Sequence, residues 1–404
     1  MIASLFPAFN TDDFIARYQQ FKQRYPFENI ENKTAPSALL YSLHQMSMIN
    51  TAWDDAMRQR FVEIALFILK QDLTYFDYIA DIIEFNVKAI VMRYSNQLCV
   101  SRVLDMWLAL QKFHENFPTY GPILESCIQF HFYTGDLQQA AFYIEQLKQI
   151  NVTQARIYQQ EWDLFFTHYT KKTAQPFSFK FTIGILTYGN HADTLEACLA
   201  SVRERAFYQE RIQLFVGNNG STDQTSRVAQ KYKVDYYLEA PTNLGLDLYT
   251  SLFAKSEAEF LIELDDDVVE LPWHFDKIFE DYFYFFNDYG YLGLNVIEND
   301  FIGTEHSKPE ASQYIEDIRS GLIVENGPTG GWCACVRHLD YLNINGLYGI
   351  QLTGPNGKFL SSEESQFTKK MQLRMKKSGI IQDHRCLHGV KSMQAYQEWL
   401  KQQS

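Results

Sequence analysis

The pattern of apolar positions along the chain changes near residue 176. Before that point, residues 53–70 and 103–113 carry apolar side chains at helical spacing. Residues 128–150 predict a helix, a Gly-Asp turn and a second helix, and their apolar positions resemble the second half of a tetratricopeptide repeat. We therefore predict an all-α, repeat-like domain over residues 1–172.

After residue 176, short apolar runs alternate with amphipathic segments. Strands are predicted at 179–186, 212–216 and 260–264, and helices at 193–205, at 222–232 and from Pro272 to residue 286. Strands that alternate with helices favour βαβ units and a mostly parallel sheet, so we predict an α/β domain over residues 177–404. Such sheets bind ligands at the carboxyl ends of their strands, and the residues after each strand are therefore the candidates for chemistry.

Polar residues follow the first two predicted strands. They are Thr187, Tyr188, Gly189 and Asn190 after the first strand, and Asn218, Asn219, Gly220, Ser221, Thr222 and Asp223 after the second. A structural explanation is available for the second segment, because Ser221 or Thr222 can cap the helix that follows. The same geometry would also present polar side chains and backbone amides to a nucleotide base or ribose.

Three adjacent carboxylates, Asp265, Asp266 and Asp267, follow the third predicted strand. Acidic residues accumulate before helix N-termini, which is one explanation of the cluster. In an extended segment, however, Asp265 and Asp267 point to the same side and can share one divalent cation. Oxygen ligands suit Mg²⁺ or Mn²⁺, so we predict a metal site here.

Composition and charge narrow the class of partner. The chain has 404 residues, of which 46% are apolar, so it can bury a sizeable core. The net charge is 36 − 49 = −13, of which residues 177–404 carry 21 − 31 = −10. This balance opposes a nucleic-acid partner, since affinity for nucleic acid comes mostly from Lys and Arg on phosphates. A small anionic ligand remains compatible if a metal ion mediates its binding.

Six scattered cysteines without a Cys-x-x-Cys pair indicate a reducing compartment and no zinc ribbon. The first 13 residues lack the features of a secretory signal, and no run of about 18 apolar residues occurs. We therefore expect a soluble, cytoplasmic protein, and peripheral contact with the inner face of a membrane is compatible with this sequence.

The ordered set of motifs resembles the family 2 glycosyltransferases of the GT-A fold over residues 178–390. Besides the segments above, the set includes Asn243-Leu244-Gly245, a Gly-rich stretch with Gly331 and Trp332, the turn at 345–349 and the helix start at 361–367. Three departures from that family are evident: Asn218 where Asp is frequent, no basic residue at 246–249, and Glu363-Glu364 instead of Glu-Asp.

The resemblance implies transfer of a hexose or N-acetylhexosamine from a nucleotide diphosphate sugar, with a UDP-sugar favoured, to a hydroxyl of a glycan, lipid or protein. It implies inversion at the anomeric carbon. It assigns the general base to Glu364, with Glu363 as the fallback, although both acids also suit a helix N-terminus. Mn²⁺ or Mg²⁺ would be held by Asp265, Asp267 and His388, with His384 as the competitor of His388. Substrate contacts are expected from Thr187, Tyr188, Asn190, Asn218, Asn219, Ser221, Asp223, Asn243, Asp265, Asp266, Gly331 and Trp332. Trp332 is equally explained as a core residue.

Two other classes of function remain open at this point. The chain could be a helical-repeat interaction protein whose second domain binds a sugar nucleotide without catalysis. It could also be a nucleotidyltransferase, but residues 187–190 lack the Gly-rich, basic phosphate loop that such an enzyme usually has. In each case we expect the helical domain to recruit an acceptor or protein partner, or to mediate self-association.

Overall fold

The structure, a computed structural model, describes residues 36–47, 52–88, 96–174, 176–221, 224–297, 314–346, 363–390 and 392–403. These residues fall into two compact units, which separate between Thr167 and His168. The predicted domain boundaries at residues 172 and 177 stay a prediction.

The described part of the first unit is helical. Its helices are Pro36–Ser47, Asp55–Gln71, Phe76–Lys88, Asn96–Asn116, Gly121–Thr134, Leu137–Lys148 and Val152–Ala174, and a 3-10 turn spans Leu73–Tyr75. The last of these helices continues past the boundary, so its residues from His168 onward belong to the second unit. The second of these helices begins where Asp54 accepts a hydrogen bond from the amide of Met57, at 2.7 Å. Such a cap satisfies one of the donors that a helix leaves unpaired at its start.

The predicted helix–turn–helix over residues 128–150 is confirmed. The first helix ends at Gly135, whose φ of 76° is the left-handed conformation that glycine adopts at helix ends. Asp136 then accepts a hydrogen bond from the amide of Gln139 at 3.2 Å and caps the second helix. An array of tetratricopeptide-like repeats stays a prediction.

The second unit is built on a mixed sheet. Its described strands are β1 Phe179–Thr187, β2 Ile212–Asn219, β3 Tyr236–Ala240, β4 Ala258–Asp265, β5 Tyr289–Val296, β6 Ile315–Arg319, β7 Leu322–Asn326, β8 Cys333–Arg337 and β9 Lys377–Cys386. These nine strands lie in the order β3-β2-β1-β4-β8-β5-β9-β7-β6. The strands β3, β2, β1 and β4 are parallel, as predicted. Beyond β4, all the described pairs except β5–β9 are antiparallel.

Helices cover this sheet and complete its core. They are Ala192–Arg205, Thr225–Lys231, Asp247–Phe253, Phe275–Phe285, His338–Asn343, Glu363–Leu373 and Met393–Gln403, and a 3-10 turn spans Gln209–Arg211. Apolar residues of the sheet, such as Ile183, Leu214 and Ile262, are fully buried in one cluster with Leu199 and Phe279 of the helices. The central strands are therefore apolar along most of their length, as expected of strands covered on both faces.

Three strands reach further into polar sequence than their apolar runs predict. β1 extends to Thr187, β2 to Asn219 and β4 to Asp265. In the register of the sheet, Thr187 lies beside Asn218, and Leu186 lies beside Asp265. The polar residues at these carboxyl ends are thus brought to one edge of the sheet.

None of the described helices is both long enough and apolar enough to cross a membrane.

Candidate active site

Asp265, Asp267 and His388 bring their side chains together at the carboxyl end of β4. One ligand atom of each residue lies within 4.8 Å of the others. The Nε2 atom of His388 is 3.2 Å from Oδ2 of Asp265 and 3.2 Å from Oδ1 of Asp267. His388 and Asp267 are only 2% and 4% exposed, whereas 46% of the Asp265 side chain is exposed. The group therefore opens to solvent on the Asp265 side.

The backbone explains how His388 reaches the two aspartates. After Asp265 the chain turns, with the amide of Val268 donating to the carbonyl of Asp265 at 3.2 Å. The next residues form an isolated antiparallel bridge in which Glu270 pairs with Leu387. This bridge places His388, the residue after Leu387, opposite the Asp-x-Asp segment.

The electrostatics of the group follow from its geometry. Burial acts to lower the pKa of His388, but the hydrogen bonds and charges of Asp265 and Asp267 outweigh burial and raise its pKa to about 9. At neutral pH and without a metal, His388 is therefore protonated and compensates the two carboxylates. Two carboxylates and one imidazole also form a donor set that suits a divalent cation, and the spacing of their atoms fits shared coordination.

Asp266 lies in the turn that follows β4 and is directed away from this group. It is buried, and its Oδ1 lies 3.4 Å from Nδ1 of His191. Burial raises the pKa of Asp266, and contacts with His191 and Thr187 counteract that rise in part. His191 was not among the predicted site residues, and no local pattern links it to Asp266, 75 positions further along the chain.

The two asparagines at the end of β2 are buried and hold neighbouring loops. Asn218 donates to the carbonyl of Ser221 at 3.0 Å and accepts from the amide of Ser221 at 2.7 Å. Asn219 donates to the carbonyl of Gly245 at 3.0 Å and accepts from the amide of Leu244 at 2.6 Å. Their amide groups thus fix the β2 turn and the segment 243–245, and direct substrate contacts by these two residues stay a prediction.

The other predicted substrate-binding residues around β1 and β2 differ in exposure. Tyr188 and Asn190 are exposed at the end of β1, whereas Thr187 and Ser221 are buried. Asn243 is exposed and accepts a hydrogen bond from the amide of Gly245 at 2.8 Å. Asp223 lies outside the described residues.

Trp332 is part of the core and also borders the metal-ligand group. Its Nε1 donates to the carbonyl of Leu294 at 2.8 Å, and its ring lies 5.7 Å from the ring of His388. A Cβ atom on Gly330 would lie only 1.9 Å from this ring, so the indole covers that glycine. Gly331 is buried, and the carbonyl of Trp332 accepts a hydrogen bond from the amide of Asp265 at 3.0 Å.

The remaining predicted residues lie at the helix Glu363–Leu373 and on β9. That helix begins at Glu363, while the side chains of Glu363 and Glu364 lie outside the described part of the structure. His384 is half-buried on β9, with its ring 6.0 Å from that of Tyr282. Burial lowers the pKa of His384. It is not part of the Asp265, Asp267 and His388 group.

A comparison with protein families identifies part of the second unit. The model described as "Glycosyl transferase family 2" matches residues 182–282, which include Asp265 and Asp267. No curated protein sequence matches the chain. The resemblance expected from the motifs is confirmed over these residues. Together with the helices and the mixed sheet, the match confirms the predicted fold class, an all-α part followed by a GT-A α/β domain.

Several solved structures resemble part of the chain. The mannosyltransferase PcManGT from Pyrobaculum calidifontis, solved with GDP-Man and Mn²⁺, is 13% identical; the match covers 58% of this chain and 67% of that one, with a TM-score of 0.39. TarS from S. aureus is 16% identical over 54% of this chain and 38% of its own, with a TM-score of 0.38. Glucosyl-3-phosphoglycerate synthase from Mycobacterium tuberculosis is 12% identical over 56% of this chain and 77% of its own, with a TM-score of 0.36. At these TM-scores the likenesses carry no argument about function.

Proposed function

We propose that this protein, whose residues 182–282 match the family 2 glycosyltransferases, transfers a sugar from a nucleotide diphosphate sugar to a hydroxyl group of an acceptor. The observation that carries the proposal is the convergence of Asp265, Asp267 and His388 at the carboxyl end of β4. This is the edge at which α/β sheets bind ligands, and a divalent cation there would offset the negative charge of both the domain and the donor.

Asp265, Asp267 and His388 would hold the cation. Carboxylates suit Mg²⁺ and Mn²⁺ alike, but an imidazole ligand favours the softer transition metal, so we infer Mn²⁺ as the better fit. When bound, such a cation acts as a Lewis acid that stabilises negative charge on the leaving diphosphate. The partly exposed Asp265 lies on the solvent side of the group, where a donor would enter, while His388 and Asp267 form its buried floor.

The acceptor hydroxyl must lose its proton as it attacks the anomeric carbon. One carboxylate opposite the leaving group is sufficient for this step, as in inverting glycosidases, and the reaction then inverts the anomeric configuration. We propose Glu364 as this general base, with Glu363 as the alternative, from their place at the start of the helix Glu363–Leu373. A UDP-linked hexose or N-acetylhexosamine and a glycan, lipid or protein acceptor complete the proposal.

A thermal-shift screen of nucleotide sugars, with and without Mn²⁺, tests donor binding. A bound donor raises the unfolding midpoint by mass action, and we expect the rise only when Mn²⁺ is present. The donor found in this way is then used in a hydrolysis assay. We expect Mn²⁺-dependent hydrolysis in the wild type and its loss in Asp267→Ala.

Asp281→Ala provides a matched control for that assay. Asp281 is half-exposed on the helix Phe275–Phe285, where it pairs with Lys277. This variant should hydrolyse the donor like the wild type. Undiminished hydrolysis in Asp267→Ala would contradict the metal assignment. Binding without hydrolysis or transfer would instead favour a non-catalytic sugar-nucleotide domain.

We further propose that the helical unit recruits the acceptor or a protein partner, or mediates self-association. A chain that starts at residue 171 provides the test, because it keeps β1 and all later strands. Acceptor KM and oligomeric state should both be compared with those of the full chain. If neither changes, this role of the helical unit is wrong.

A further inference from the structure

A small apolar cluster next to the metal-ligand group joins the segment after Asp267 to the C-terminal part of the chain. Leu387 and Val390 are fully buried, and Val269 is nearly so. Met393 and Tyr396, from the helix Met393–Gln403, pack against them. Val269 follows Asp267 by two residues, and Leu387 directly precedes His388, so the cluster contacts both segments that supply buried ligands.

Backbone hydrogen bonds fix the register of these two segments. The amide of Val269 donates to the carbonyl of Leu387 at 3.1 Å, and the amide of Leu387 donates to the carbonyl of Glu270 at 2.8 Å. A shift of either segment would therefore move His388 relative to Asp267. Since this bridge is isolated, it depends on side-chain packing for its stability.

The side chain of Glu270 connects the bridge to two helices. Its carboxylate accepts a hydrogen bond from Nη1 of Arg205 at 3.0 Å and a longer one from the hydroxyl of Tyr396 at 3.5 Å. Arg205 also donates to the carbonyl of Leu271. Burial, followed by the charge of Glu270, raises the pKa of Tyr396, so the hydroxyl stays protonated as a donor.

We propose that Tyr396 is a positioning residue, through which the helix Met393–Gln403 holds His388 in its ligand position. Tyr396 is not part of the ligand group, and the proposed reaction assigns it no chemical step. Its described contacts lead to the ligands through Glu270 and through the cluster that contains Leu387. Residues behind a ligand shell commonly tune metal affinity by fixing ligand orientation. This role rests on the proposed metal site, and it assigns to the helix Met393–Gln403 the task of holding that site together.

The first test compares Mn²⁺ affinity, measured by electron paramagnetic resonance, in the full chain and its variants. Tyr396→Ala removes the ring and should weaken Mn²⁺ binding about tenfold, within the range seen for such outer residues. Tyr396→Phe keeps the ring and should stay within about twofold of the wild type, because packing contributes more than the 3.5 Å hydrogen bond. Glu398→Ala, an exposed change on the same helix, is the matched control and should have no effect.

A double variant separates positioning from general destabilisation. If Tyr396 acts through His388, then Tyr396→Ala should weaken Mn²⁺ binding no further in a His388→Ala background. All affinities are measured well below the unfolding midpoint of each variant. Wild-type affinity in Tyr396→Ala, together with weakened binding in His388→Ala, would overturn the positioning role and leave the metal site intact.

A metal-free measurement distinguishes failure of this inference from failure of the proposed function. Hydrogen exchange of the Leu387 amide reports directly on the bridge to Glu270. We expect faster exchange in Tyr396→Ala than in Tyr396→Phe or Glu398→Ala. If the wild type binds no Mn²⁺, the proposed metal site is wrong, but this exchange still decides the inference. Equal exchange in the three variants would overturn it.

Discussion

The ends of β2 and β4 lie on opposite sides of β1, and their polar side chains are satisfied in different ways. Asn218 and Asn219 on β2 bond to backbone groups of their own and the neighbouring loop. Asp265 and Asp267 at β4 converge instead on the imidazole of His388. An amide both donates and accepts, so backbone can satisfy it fully, whereas two carboxylates only accept and need a cation between them. Although both strand ends are polar, we therefore expect the end of β2 to hold loops and the end of β4 to bind a cation.

The largest expected effect is on metal binding at β4. Asp267→Asn keeps the volume of the side chain but removes one of the two negative ligands. We expect Mn²⁺ affinity to decrease about 100-fold, since removing a ligand should cost at least as much as the upper range for outer-shell residues. Isothermal titration calorimetry measures this effect. A decrease of less than about threefold would mean that the two strand ends do not differ as we describe.

The reciprocal change at β2 should lower the stability of the fold without changing the affinity for Mn²⁺. Asn219→Asp removes the donor to the carbonyl of Gly245 and places a buried charge beside it. The unfolding free energy should decrease by about 3 kcal/mol, as expected for a buried polar group without its partner. Denaturant unfolding gives this value, and calorimetry should show unchanged Mn²⁺ affinity. A large loss of affinity instead would place Asn219 in the metal site.

The third expected effect is a dependence of stability on pH without metal. The pKa of His388 in the folded protein, about 9, is above the ordinary value of 6.5. Its ion pairs therefore stabilise the fold fully below about pH 6.5, and this contribution is lost as pH rises through 9. The wild type should lose about 3 kcal/mol of unfolding free energy over that range relative to His388→Ala.

Metal affinity should change in the opposite direction over the same range. Mn²⁺ must displace the proton of His388, so the measured affinity should increase with pH until about 9. Chemical denaturation and Mn²⁺ titration at several pH values test both trends. If the stability of the wild type and that of His388→Ala depend on pH in the same way, then His388 does not compensate the charge of the aspartates.

The smallest expected effect concerns Asn243, in the loop that Asn219 holds. Its side chain is exposed and accepts one hydrogen bond, from the amide of Gly245. Asn243→Ala should therefore lower the unfolding free energy by less than about 1 kcal/mol, because water can replace that bond. If Asn243 contacts the donor as predicted, the same variant raises the donor KM. A normal KM would limit its role to the loop.

The sequence predicts the local parts of this site better than the long-range ones. The convergence of Asp265 and Asp267 was expected from alternation in an extended segment, but the structure achieves it by a turn, since β4 ends at Asp265 and the amide of Val268 donates to its carbonyl. The position of His388 depends on the bridge between Glu270 and Leu387, which no local pattern encodes. The family resemblance indicated a C-terminal histidine, but only the fold separates His388 from His384.

Other residues have structural roles that polar sequence alone does not reveal. Asn218 and Asn219 have the residue type and position of nucleotide ligands, yet their amides already have backbone partners. Trp332 borders His388, but its indole nitrogen bonds to Leu294 and its ring covers Gly330. Such assignments require the three-dimensional partners of each side chain, which depend on loops that sequence patterns do not predict.

The place of β9 in the sheet has a consequence for the order of folding. β9 is the last described strand in the chain, yet it lies inside the sheet, between β5 and β7. Among the described strands, the hairpin of β6 and β7 joins the rest of the sheet only through β9. Contacts between residues so far apart in sequence form slowly, because a long stretch of chain must first be ordered. Closure of the sheet and delivery of His388 to the aspartates should thus occur in one late, rate-limiting step of refolding.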